Sequence, residues 1–237
     1  MTEQTQLTND LPQINPMGKK TPSLNLLIFI FTVSMLFSGA LIFLILSRVM
    51  TTNEPAFDPN VYTAEGGVRI IDPPRTVSDF TLPAQTGEPL SISELQGKVA
   101  LIFFGYTHCP DVCPLTMLDF RDVHDMFGTE ADHVAFVYIS VDGERDAPAV
   151  MADYFARRDM QSYMIGLSGD EATLNRIAPE YNLYYNLNPP DDNGFYTVDH
   201  TASIYLLDTE GRLSRIFAYG TEPAIIAETI RDILASG

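Results

Sequence analysis

Cysteine occurs twice in this chain of 237 residues, and both copies stand in one short segment, Tyr106-Thr107-His108-Cys109-Pro110-Asp111-Val112-Cys113-Pro114. Two thiols placed together can close a disulfide, exchange one with a partner, or hold a soft metal. A thioredoxin-type redox pair has two residues between its cysteines, and this pair has three. Positions i and i+4 share a helical face, so both sulfurs can point at one object. They can also bridge if the backbone at Cys109 is not rigid helix. Cys113 falls in the first turn of an expected helix, where free N–H groups and the helix dipole favour an anion, which lowers a thiol's pKa. Pro110 and Pro114 lack N–H donors and suit the passage from loop to helix.

Thiolates select Cu(I), Zn(II) or iron–sulfur centres. Two cysteines are too few for a four-thiolate zinc or iron–sulfur site. Two thiolates alone suit linear Cu(I), and a third ligand makes a more stable site. The best candidate for a third ligand is His200, in Val198-Asp199-His200-Thr201-Ala202-Ser203-Ile204-Tyr205, at a loop end just before an apolar strand, although a lone histidine is more often structural than a ligand. Imidazole serves copper in either oxidation state. His108 adjoins the pair, but the strand end sets its direction. His124 and His133 read as helix-face and strand-edge residues. Asp111 and Asp199 flank the candidate ligands, either as acceptors that orient them or as turn caps. Met117 stands one turn after Cys113 and reads as core rather than as a thioether ligand.

Positioning these groups requires a strand before the pair and a helix after it. Val99 to Tyr106 is a continuous apolar run, the pattern of a strand covered on both faces. Cys113 to Phe127 reads as a helix burying Leu115, Leu118, Val123 and Met126. His133 to Val141 is a second buried strand. Ala147 to Arg158 is a helix with Asp146 as cap and Pro148 in the first turn. Tyr163 to Leu167 is a third strand and Glu171 to Ala178 a short helix. Segments 67–71 and 79–82 read as short strands or a hairpin, and Tyr181 to Leu187 precedes a polar loop from Asn188 to Gly194. Ser203 to Leu207 and Leu213 to Tyr219 form a closing strand pair around Asp208-Thr209-Glu210-Gly211. Glu222 to Ala235 is a last amphipathic helix. This alternation implies an α/β fold, a thioredoxin-like mixed sheet flanked by helices, spanning 67–237.

Ahead of that domain, no charged residue occurs from Thr21 to Ser47. The run exceeds the roughly 20 apolar residues that cross a bilayer and the roughly 7–15 of a signal peptide. The expected layout is a cytoplasmic tail 1–20, a transmembrane anchor 21–47 and a linker 48–66. Lys19 and Lys20 against Arg48 favour a cytoplasmic N-terminus. A tail with Glu3, Asp10 and no arginine is unlike a mitochondrial presequence. The expected location is the bacterial inner membrane, single-pass, with the C-terminal domain in the periplasm, where thiols can oxidise. Beyond residue 48 the chain holds 29 acidic and 11 basic residues. Such a surface repels nucleic acid and anionic headgroups, and it suits a basic protein or a cation.

Three motifs together resemble the Sco/SenC family: the segment 106–114, Ser140-Val141-Asp142-Gly143-Glu144-Arg145-Asp146, and Val198-Asp199-His200-Thr201. The similarity runs from about residue 70 to the C-terminus. The resemblance implies a thioredoxin-like copper protein held in the membrane by one N-terminal helix. It implies that Cys109, Cys113 and His200 bind copper, as Cu(I) or Cu(II). It also implies a role in building the dinuclear copper centre (CuA) of cytochrome c oxidase. The implied partners are the copper-bearing oxidase subunit and another copper chaperone or a thioredoxin-like reductant. Gly143 stands where the family often has proline, and Thr201 where serine is common; neither is an implied ligand.

The expectation is therefore a metallochaperone rather than an enzyme. A rival is a periplasmic thiol–disulfide oxidoreductase that reduces the oxidase subunit's cysteines, with Cys109 and Cys113 as its redox pair and no required role for His200. A thioredoxin-fold peroxidase fits less well, because it does not need the proline-bracketed pair.

Overall fold

The structure, a computed structural model, describes residues 23–51, 61–63 and 65–236. It divides into two compact units, Met1–Phe57 and Asp58–Gly237. In the first, α1 (Leu24–Thr51) is a helix of 28 residues with exposed apolar side chains, Phe29, Phe31, Leu36 and Phe37 among them. Among the described residues no helix is long and apolar enough to cross a membrane. The expected tail 1–20 and the first two residues of the expected anchor lie outside the described residues.

The second unit begins with β1 (Val61–Thr63) and β2 (Val68–Thr76). A ribbon of β3 (Thr81–Pro83) and β4 (Pro89–Ser91) follows, and then the β-α core. The core runs β5 (Val99–Gly105), α2 (Val112–Phe127), β6 (Val134–Ser140), α3 (Pro148–Ala156), β7 (Met164–Ser168) and α4 (Glu171–Tyr181). A second ribbon of β8 (Tyr185–Leu187) and β9 (Val198–His200) leads into β10 (Ile204–Leu207), β11 (Arg212–Phe217) and α5 (Pro223–Ser236). Seven strands make the main sheet in the order β1-β2-β11-β10-β5-β6-β7. β5, β6 and β7 are parallel, and the other neighbours antiparallel. Of the two readings of 67–71 and 79–82, separate strands hold and a hairpin does not: β2 joins the main sheet and β3 pairs with β4. β1 falls within the segment 48–66 expected as a linker and adds an edge strand beside β2.

All seven residues of β5 and all seven of β6 are buried, as their unbroken apolar runs require. Successive strand residues point to opposite faces. On one face Phe103 therefore meets Tyr138, which packs against Tyr154 and Phe155 of α3. Phe104 stacks edge-on against Tyr181 of α4 and against Tyr205 on the other. Helices thus cover both faces, with β5 inside the sheet between β10 and β6 and its C-terminal end leading directly into the thiol pair.

Two expectations need correction. α2 buries Cys113, Thr116, Met117, Phe120, Val123 and Phe127, whereas Leu115, Leu118 and Met126 are nearly half exposed. Of the four residues expected to be buried only Val123 is; the buried stripe is the one that carries Cys113 onto the end of β5. Asp146 is not a helix cap. Ala147 occupies that position in α3, and the Asp146 carboxylate is wholly buried beneath Thr107.

Candidate metal centre

β5 delivers the chain to Tyr106, and the Cys109 N–H donates to the Tyr106 carbonyl at 3.2 Å, closing a turn just before α2. Asp111 occupies the N-cap position of α2 without a side-chain capping bond. The Cys109 sulfur takes that role: it accepts the Cys113 N–H at 3.5 Å. Cys113 sits within the first turn, fully buried against the end of β5. Gly105 makes this approach possible. A Cβ there would lie 2.7 Å from Phe103 Cε1, 2.8 Å from Tyr138 Oη and 3.0 Å from Cys113 Sγ.

His200 arrives from the other side of the sequence, at the end of β9, paired with Tyr185 of β8. Its ring lies edge-on to Phe103 and to Tyr106, with centroids 5.8 and 5.9 Å away. His200 Nδ1–H donates to the Thr201 carbonyl at 3.2 Å, which leaves the Nε2 lone pair facing Cys113 Sγ at 3.3 Å. The ligand atoms of Cys109, Cys113 and His200 all lie within 4.8 Å of one another, and among the described residues they form the one such cluster of three. His108 stays outside it, with Nδ1 against Thr107 Oγ1 at 3.1 Å and Asp146 at 3.7 Å. Asp199 is exposed, and the imidazole is oriented by a backbone carbonyl instead. Met117 is buried in the core.

The two thiols are electrostatically unlike. Hydrogen bonding from Cys113, opposed by partial burial, and then contacts with His200 and the Asp111 and Cys113 backbone bring the Cys109 pKa down to about 4. The same sulfur–sulfur contact, with burial, pushes the Cys113 thiol far above the usual range. This reverses the expectation that helix position would favour a Cys113 thiolate. The free N–H groups of the helix end converge on the sulfur just outside the helix, and the residue inside its first turn is shut away from water. Between these two shifts the pair holds one proton, and its charge resides on the half-exposed sulfur.

This donor set fits copper. Metal–sulfur bonds of ~2.3 Å and metal–nitrogen bonds of ~2.0 Å put trigonal ligand atoms roughly 3.5–4 Å apart. Shifts of about 1 Å or less would bring these three atoms to that spacing. Two soft sulfurs and one imidazole suit Cu(I), and the imidazole extends the set to Cu(II).

The loop after β6 contributes residues that spacing alone did not reveal. Asp146 accepts from Thr107 N–H at 2.8 Å, Thr107 Oγ1 at 2.6 Å and Ser140 Oγ at 2.7 Å. Asp142 accepts from Arg145 Nε at 2.5 Å and Tyr196 Oη at 2.9 Å. The motif 140–146 was the available signal, but nothing in it says which loops it would grip. Gly143, the departure from proline, has a physical reason: a Cβ there would sit 2.0 Å from the Gly169 carbonyl oxygen.

The fold agrees with the comparisons to known proteins. The SCO1/SenC family model matches residues 69–235. An SCO2-like protein of Rickettsia felis is 30% identical over 208 residues, 87% of this chain and 97% of that protein. The structure of Bradyrhizobium japonicum ScoI with copper bound is 40% identical, with a TM-score of 0.61 over 67% of this chain and 99% of that one. BsSco, described through a disulfide switch as a member of the Sco family of cytochrome c oxidase assembly proteins, shares the fold at 22% identity, with a TM-score of 0.56 over 69% of this chain and 96% of its own. The chain therefore belongs to the SCO1/SenC family and carries its thioredoxin-like mixed α/β fold.

Proposed function

We propose that the chain is a membrane-anchored copper metallochaperone that binds its cargo through Cys109, Cys113 and His200 and helps assemble the CuA centre of cytochrome c oxidase. The observation that carries this reading is the convergence of three copper-suited ligand atoms, from segments 87 residues apart, within 4.8 Å. The copper-bound relative and the family's description as oxidase assembly proteins support it.

The layout follows the same reading: a cytoplasmic tail 1–20, an anchor 21–47, a linker from residue 48 and a periplasmic domain in the bacterial inner membrane. Its support is the uncharged run from Thr21 to Ser47, which falls largely within one helix whose described apolar side chains lie exposed. The oxidase's copper-bearing subunit is the recipient, and a second copper chaperone or a thioredoxin-like reductant is the supplier of metal or electrons.

Copper binding requires both thiols reduced, because a disulfide sulfur is a poor ligand. His200 is presented with Nδ1 already committed to a carbonyl, so Nε2 is free to bind. A recipient's ligands reach the half-exposed Cys109 and His200 before the buried Cys113. Transfer by ligand exchange then begins at the outer donors, with His200 released first and Cys113 last.

The asymmetry of the pair favours one further reading, thiol–disulfide exchange. The Cys109 thiolate attacks one sulfur of a substrate disulfide, forms a mixed disulfide and expels the other sulfur as thiolate, which takes up a proton. Cys113, giving up its proton, attacks Cys109 Sγ and releases the second substrate thiolate. The substrate is reduced by two electrons, and the pair is oxidised to a disulfide.

Anaerobic Cu(I) titration of the reduced full chain in detergent separates the two readings. Tight one-to-one binding that is abolished in Cys109→Ser and Cys113→Ser supports the metallochaperone. Micromolar or absent binding with rapid disulfide exchange transfers the assignment to the oxidoreductase.

A further inference from the structure

The loop between β6 and α3 touches both halves of the metal centre. At one end the buried Asp146 carboxylate grips Thr107 through three hydrogen bonds shared with Ser140. Thr107 stands two residues before Cys109. At the other end Arg145 grips the His200 ribbon. Its Nη1 donates to the Tyr196 carbonyl at 2.9 Å, and its guanidinium carbon lies 3.4 Å from the Tyr196 ring centre. Asp142, buried between them, holds Arg145 Nε and Tyr196 Oη at once. Arg145 also lies 5.7 Å from the ring centre of Tyr106, whose edge meets His200.

This hold matters because the ribbon is weakly built. β8 and β9 are three residues each, pair only with one another and stand outside the seven-stranded sheet. A two-stranded ribbon of that length has little stability of its own. Its short link into β10, the Tyr185 hydroxyl bonded to Asn175 of α4, the ring contacts of His200 with Phe103 and Tyr106, and the Arg145–Asp142–Tyr196 cluster together locate His200 relative to the sulfurs.

We propose that Arg145 is a positioning residue: through Tyr196 it sets where His200 Nε2 stands relative to the two sulfurs, and so how well the site holds Cu(II) relative to Cu(I). The inference rests on the Cys2His copper reading. Two thiolates satisfy Cu(I) without help, whereas Cu(II) depends on the nitrogen donor. Loosening His200 therefore costs Cu(II) more. Lysine cannot replace the planar fork that binds a carboxylate, binds a carbonyl and stacks on a ring together.

The test uses the full chain in detergent, reduced and metal-free, with Cu(I) affinity from chelator competition and Cu(II) binding from its thiolate charge-transfer absorption and electron paramagnetic resonance. Arg145→Ala should weaken Cu(II) binding at least tenfold and shift both spectra, with Cu(I) affinity changed less than threefold. Arg145→Lys should recover only part of this. Tyr196→Phe, which removes one hydrogen bond and keeps the ring, should give a smaller loss in the same direction and covers the case of an unfolded alanine variant. Arg157→Ala, which removes an exposed arginine paired only with Asp153 on the surface of α3, should leave both spectra unchanged. In the double variant with His200→Ala, Arg145→Ala should add nothing further to the Cu(II) loss. Equal loss of both oxidation states, full additivity with His200→Ala, or unchanged Cu(II) spectra in folded Arg145→Ala and Tyr196→Phe would each overturn the inference alone. A wild-type chain that binds no copper, or one whose Cu(II) binding ignores His200→Ala, overturns the Cys2His reading and this inference with it.

Discussion

Gly105→Ala is the smallest change that reaches the metal centre. The added methyl carbon would lie 2.7 Å from Phe103 Cε1, 2.8 Å from Tyr138 Oη and 3.0 Å from Cys113 Sγ, where ordinary contact begins near 3.4 Å. Each neighbour must therefore retreat by 0.4–0.7 Å. None has room: Phe103, Tyr138 and Cys113 are all fully buried. Overpacking of this kind costs about 1–3 kcal/mol. The structure favours the upper half of that range, because two of the three neighbours are rigid rings on central strands. The displaced sulfur also loses register with Cys109 and His200. Urea unfolding of the reduced, metal-free chain should show a midpoint lowered by the corresponding amount. Cu(I) competition under native conditions should show at least a tenfold loss of affinity. A variant with unchanged midpoint and unchanged copper affinity would refute the claim that Cys113 is wedged against β5.

The pH dependence of stability follows from the two thiols. In the unfolded chain both titrate near the ordinary cysteine value of about 8.5. Folded, Cys109 lies at about 4 and Cys113 far above. Between pH 4 and about 8.5 the unfolded state therefore binds one more proton, and stability should rise with pH; above that it binds one fewer, and stability should fall. Subtracting the curve of the Cys109→Ser/Cys113→Ser variant isolates this pair, and a flat difference would contradict it. Tyr181→Phe removes a buried hydroxyl with no hydrogen-bond partner among the described residues while keeping the ring stacked on Phe104 and Tyr205. Thermal unfolding should show stability unchanged or raised by up to about 1 kcal/mol. Asp146→Ala strands three donors around a buried site and should cost about 3 kcal/mol or more in urea unfolding, together with loss of copper binding.

Much of this was legible in the chain before folding. The unbroken apolar runs of β5 and β6 carried the pattern of doubly covered strands, and the strand–loop–helix placement of the thiols fitted a thioredoxin-like fold. Among four histidines the His200 segment was the best candidate, at a loop end before an apolar strand far from the thiols, but sequence alone did not settle that choice. Other features depend on tertiary contact and leave no local trace. α2 looked as though it should bury Leu115 and Leu118, because their spacing makes an apolar face, yet Thr116 is buried and bonds back to the Val112 carbonyl. Asp146 before Pro148 has the local pattern of a helix cap, and only the approach of Thr107 makes it an acceptor instead. The ordering of the thiol pKa values depends first on the contact between the two sulfurs and on which of them is the more buried, and sequence position alone suggested the other one.

The central claim is a copper ion held by two sulfurs and one nitrogen, and X-ray absorption at the copper edge counts those ligands directly. The account predicts that the Cu(I)-loaded wild-type chain gives a first shell of two sulfurs and one imidazole nitrogen, that His200→Ala loses the nitrogen and keeps both sulfurs, and that either Cys→Ser variant loses one. A first shell of sulfur alone in the wild-type protein, or one unchanged by His200→Ala, would contradict it.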